Sequence, residues 1–92
     1  MKVQKYNVQA CCGRTSIFFK ISEPISIEFM NILKSNGYKE TEHFTKAGIL
    51  YVDNEDFILT GPIGSDKLQV KCKKPNCEEM VSKFENFLST VS

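Results

Sequence analysis

Three observations predict an α+β fold, an antiparallel sheet of about five to six strands with two helices packed on one face. Short runs with period-two alternation recur along the chain, among them Lys67-Leu68-Gln69-Val70-Lys71-Cys72-Lys73, where every second residue is apolar. Two other segments, opening at Ser22 and near Asn76, carry apolar residues at helical spacing instead. Connections in the second half are of hairpin length, shorter than the dozen or more residues a parallel crossover needs. The expected order is β-β-α-β-β-β-β-α. With 92 residues, 41% of them hydrophobic, the chain suits one small domain spanning 1–92.

In order, residues 2–21 read as a hairpin. Tyr6, Val8, Ala10 and Cys12 share one parity, Lys5, Asn7, Gln9 and Cys11 the other, and Gly13-Arg14 is the reversal. The alternative is a single strand from Ser16 to Ile21 preceded by a loosely held arm. Ser22-Glu23-Pro24 is expected to open a helix, with serine as cap and proline in the first turn, where it costs no hydrogen bond. Ile25, Phe29, Ile32 and Leu33 form its inward stripe, and Asn36-Gly37 ends it. Residues 38–44 are expected as a strand polar enough to lie at an edge or over solvent, followed by a turn at 45–48. The runs Ile49-Leu50-Tyr51-Val52 and Phe57-Ile58-Leu59-Thr60, apolar on both parities, are placed centrally, with the polar turn 53–56 between them. Residues 61–66 read as a loop, since two glycines and a proline interrupt pairing. The last strand turns Leu68, Val70 and Cys72 inward and Lys67, Gln69, Lys71 and Lys73 outward. Asn76 and Glu79 then resemble a capping box opening a helix with a stripe of Met80, Phe84, Phe87, Leu88 and Val91.

Composition narrows the partners. The formal net charge is +1, and Arg14 is the only arginine among twelve basic residues, which argues against wholesale attraction to nucleic acid or an anionic membrane. No run approaches a membrane span and no apolar leader follows Met1, so the expected location is the cytoplasm, without membrane attachment. Thiols there are normally reduced, so the four cysteines are expected as free or metal-bound ahead of disulfide-paired.

The segment Gly48-Ile49-Leu50-Tyr51-Val52, a polar turn, then Phe57-Ile58-Leu59-Thr60-Gly61 resembles the paired strands ending in Thr-Gly of one half-repeat of the TATA-box-binding-protein fold. The resemblance covers about half the chain and implies an architecture, a two-layer α+β sandwich. It implies no activity, because that family's arginines, asparagines and intercalating phenylalanine pairs lack counterparts here. A ferredoxin-like plait with one added strand gives the same layers.

Two constellations carry possible chemistry. Cys11, Cys12, Cys72 and Cys77 would suit zinc or an iron–sulfur cluster if the first hairpin lies beside the last strand. Against this, adjacent strand residues point to opposite faces, and Cys12 and Cys72 are expected first as small core hydrophobes, ahead of a metal site. The outward sheet face is the second constellation: Phe18, Lys20, Lys67, Gln69, Lys71 and Lys73, with Lys5 beside them, interleave lysines with an aromatic. Such a face binds single strands or a protein partner, or is simply solvated. His43, the one histidine, has no ready dyad partner, and no phosphate loop is present. The expected function is therefore a small non-catalytic interaction module without a cofactor, working through its open sheet face as a homodimer or with another protein. A cysteine-ligated metal or redox protein is the first alternative. A nucleic-acid-binding module is the second.

Overall fold

Alternating and helical runs condense, in a computed structural model describing residues 2–11, 14–74 and 77–90, into nine elements. These are β1 (Val3–Cys11), β2 (Arg14–Ile21), α1 (Ile27–Ser35), β3 (Lys39–Glu40), α2 (Glu42–Lys46), β4 (Ile49–Asp53), β5 (Phe57–Pro62), β6 (Lys67–Cys72) and α3 (Glu78–Thr90). The six strands form one sheet in the order β1-β2-β6-β5-β4-β3, with every neighbouring pair antiparallel. The α+β class is as expected, with one more helix than expected.

Strand parity decides the core. Ile17 and Phe19 of β2, Leu68 and Val70 of β6, Leu59 of β5 and Leu50 and Val52 of β4 all turn inward and are buried. They meet Phe29, Met30 and Leu33 of α1 and Val81, Phe84 and Leu88 of α3. Among the described residues no polar or charged side chain is buried. The Phe84 ring lies against both Phe19 and Phe57, with centroids 6.2 and 5.7 Å away, so it ties α3 to two strands. The expected reversal at Gly13 and cap at Asn76 lie outside the described residues, as does Val91.

Helix α1 begins later than the serine–proline signal implied. Ser26 is its N-cap, and its Oγ accepts the Phe29 N–H at 3.1 Å. The residues before it are held extended: the Ile25 N–H donates to the Ser65 carbonyl and the Gly64 N–H to the Ile25 carbonyl, both at 2.8 Å. A chain whose backbone groups are already committed to another loop cannot use them to start a helix. Ile25, buried ahead of the helix, presses on Gly61, where a Cβ would stand 2.6 Å from Ile25 Cδ1 and 2.8 Å from the Lys67 carbonyl oxygen. Gly61 is therefore needed for close approach. It sits within β5, which continues through Pro62 instead of stopping at Thr60. The far end of α1 follows expectation, closing at Asn36 and then Gly37 with φ 95°.

The expected strand over 38–44 is corrected. Pairing stops after Lys39 and Glu40, the Thr41 N–H reaches the Tyr51 carbonyl at 3.0 Å, and the chain turns into α2. Side chains explain the switch. The Thr45 hydroxyl donates to Glu40 Oε2 at 2.7 Å, Lys34 of α1 lies 2.9 Å from Glu40 Oε1, and Phe44 stacks on Tyr51 at 4.7 Å. Both hydrogen bonds hold the Glu40 carboxyl below the usual glutamate range. A helical turn lets Phe44 and Thr45 reach opposite layers of the domain. An extended edge strand would have left Phe44 without that stack.

Candidate binding face

Helices cover one side of the sheet, and the registers fix what the other side presents. One row runs straight across four strands: Phe18 pairs with Gln69, Gln69 with Thr60, and Thr60 with Tyr51. A ring stands at each end and an amide and a hydroxyl between. Lys20 and Lys67 are direct cross-strand partners in the row on one side, and Lys71 faces Ser16 and Ile58 in the row on the other. None of the ion pairs among the described residues involves these three lysines. The outward positions of β2, β5 and β6 carry no acid.

The structure thus brings Phe18, Lys20, Lys67, Gln69 and Lys71 together as expected from parity. Lys73 lies just past the end of β6, with its ammonium 2.6 Å from Asp53 Oδ2, so its charge is already matched. Lys5 is corrected to the helix side. It pairs with buried Phe19 and lies 3.5 Å from Glu85 of α3. The cause is a bulge between Lys5 and Asn7, which shifts the register by one residue and turns the parity of β1 over. The extra residue is Tyr6, whose ring lies 6.0 Å from Phe18 and which is 49% exposed.

Sequence reasoning thus missed Tyr6 because a bulge has no signature in alternation. It missed Phe44 because the segment around it was read as a strand. A single aromatic set among Glu40, Glu42 and His43 was the available signal, since a solvated strand has no use for it. Between Tyr6, Phe18 and Ile49 the face dips into a depression of about 350 Å³, with Thr60, Lys67 and Gln69 on its walls.

The helix side offers a second concavity of about 440 Å³ between α3, the segment after α1 and the β4–β5 turn, walled by Phe57, Met80, Phe84 and Phe87 and edged by Asn54 and Lys83. Tyr38 borders it. Burial pushes the Tyr38 phenol up to about 12, the Asp56 charge adds to this, and a hydrogen bond with Asn54 opposes it. A phenol held protonated can donate a hydrogen bond but is no base. Asn54 itself builds the acidic turn, its Oδ1 accepting the N–H groups of Asp56 and Phe57 at 2.9 and 2.8 Å. His43 is exposed on α2, edge-on to Phe44.

Cys72 and Cys77 are joined by a disulfide, the option placed behind free or metal-bound thiols. Cys72 faces inward at the end of β6 and Cys77, just ahead of α3, is buried in the same core, with the two Cα atoms 6.4 Å apart. Sulfurs bonded to each other are not thiolate ligands. Cys12 and the side chain of Cys11 lie outside the described residues. Among the described residues, no three His, Cys, Asp or Glu side chains gather as metal ligands.

Comparison of the chain with protein-family models, with curated proteins and with solved structures gives no match. Among the described residues no helix is long and apolar enough to cross a membrane.

Proposed function

We propose that this domain is a non-catalytic binding module whose working surface is the outward face of the sheet. One observation carries the reading: a half-buried row from Phe18 to Tyr51, with the rings of Tyr6 and Phe44 at its ends, is flanked by Lys20, Lys67 and Lys71, and the nearest acid on that face, Asp53 of β4, is already paired with Lys73. Uncompensated charge around a partly apolar floor favours a partner of opposite charge. A second copy docked face to face is a poorer fit, because among the described residues the carboxylate on this face of the sheet, Asp53, is already held by Lys73 and is matched against three lysines. A deep mutational scan in the source cell, scoring fitness and protein abundance separately, tests the reading. Substitutions that lower fitness without lowering abundance should gather at outward positions of β2, β5 and β6. Their gathering at His43 or the cysteines instead would refute it.

A further inference from the structure

Resting on the sheet-face reading, we infer that the occupant of the face is a single-stranded nucleic acid, with bases stacking on the Tyr6 and Phe44 rings that cap the ends of the Phe18–Tyr51 row and phosphates along the lysines. Strand spacing of about 4.8 Å puts Phe18 and Tyr51, three strands apart, about 14 Å from one another. That span suits the two or three bases an open sheet holds by stacking. Both ends of the row offer ring surface. Tyr6 is 49% exposed beside Phe18, and Phe44, 36% exposed, lies on Tyr51 with their planes only 15° apart, so an arriving base extends a stack already begun.

The middle of the row is polar where bases have polar edges. Thr60 Oγ1 and Gln69 Oε1 stand 3.5 Å apart, at the outer limit of a hydrogen bond, so both keep capacity for another partner. The lysine placement completes the case. Lys20 and Lys67 are directly opposed across β2 and β6, an arrangement that repels unless an anion sits between them, and Lys71 lies on the far side of the row. An acidic peptide would satisfy the lysines but not the flat rings. A duplex hides the base faces that the rings would contact.

Fluorescence anisotropy with labelled oligodeoxythymidylate and oligouridylate, together with amide chemical-shift mapping on the labelled domain, tests this. The expected result is saturable binding of single strands in preference to a duplex of the same length, with shifts on β2, β5 and β6. Three phosphate contacts give a log–log salt slope of about −2, or a roughly 20-fold loss between about 50 and 200 mM salt. The triple variant Lys20→Gln, Lys67→Gln, Lys71→Gln should abolish most of that slope, and Tyr6→Ala should weaken binding about tenfold. Duplex bound as tightly as the single strand overturns the inference. Saturable binding that maps to α1 and α3 overturns both the inference and the sheet-face reading. No binding of either oligomer, with concentration-dependent broadening of the outward residues that Lys67→Glu removes, overturns the nucleic acid while leaving the face as the working surface.

Discussion

Reducing the Cys72–Cys77 disulfide isolates one term in the stability of the domain. The bond closes a small loop, with a sequence separation of 5. In the chain-entropy account a loop of that size restricts the unfolded ensemble by about 2 kcal/mol. Both residues are buried, Cys72 at 6% and Cys77 at 3% exposure, and reduction removes no heavy atom, so no cavity term accompanies the loss. For a domain of this size, each kcal/mol corresponds to about 4–8 °C in Tm, so the reduced protein should melt roughly 8–16 °C lower. Calorimetry with and without a phosphine reductant measures this, and alkylation followed by peptide mass analysis reports which thiols were freed. Equal melting temperatures would refute the reasoning. So would alkylation of Cys72 and Cys77 in folded, unreduced protein, since it would mean that the bond is not formed in solution.

Other perturbations follow from single contacts. Gly61→Ala forces a methyl group against Ile25 and the Lys67 carbonyl, and should destabilise by about 1–3 kcal/mol in urea unfolding. Ser26→Ala removes the α1 cap and should cost about 1 kcal/mol in the same assay, while Ser26→Asp should restore most of it. Tyr38 carries a folded-state pKa raised from 10.0 to about 12, so the neutral phenol contributes stability that is complete below 10 and is lost as pH climbs through 12. Tyr38→Phe should flatten the alkaline fall of the unfolding midpoint, and its difference spectrum against the parent protein should place the missing tyrosinate signal near pH 12. A signal already complete near pH 10 would contradict the burial of this ring.

Much of the fold was legible because alternation and helical spacing are direct projections of burial. The inward stripe of β6 and the glycine at the end of α1 depend only on neighbours along the chain, and both were read correctly. Failures came where a distant group decided the outcome. The start of α1 is set by the loop at 64–65, which takes the backbone of Ile25, and α2 by Lys34, Glu40 and Tyr51 acting on Thr45 and Phe44. For the candidate face, parity found Phe18, Lys20, Lys67, Gln69 and Lys71, but not the pairing that aligns Phe18 with Tyr51. Register across strands 30 or more residues apart is a tertiary quantity. The bulge at Tyr6 is likewise invisible in composition, and it exchanged Lys5 for Tyr6 on the outward face.

The two margins of the sheet are unlike, and that has a bearing on assembly. At one margin β3 is two residues long and α2 follows it directly, lying along β4. At the other, β1 offers nine residues whose outer side meets no further strand among the described residues, and Val8 within it is 52% exposed. Such a margin is the place where a foreign strand adds. A tile with a single adhesive edge cannot be laid into a row. If two copies were to join through β1, the joined pair would show only its two blocked ends, and growth would stop there. The same chain that leaves one edge open is thereby guarded against fibres, beyond the protection that Lys5 and the bulge already give the open strand.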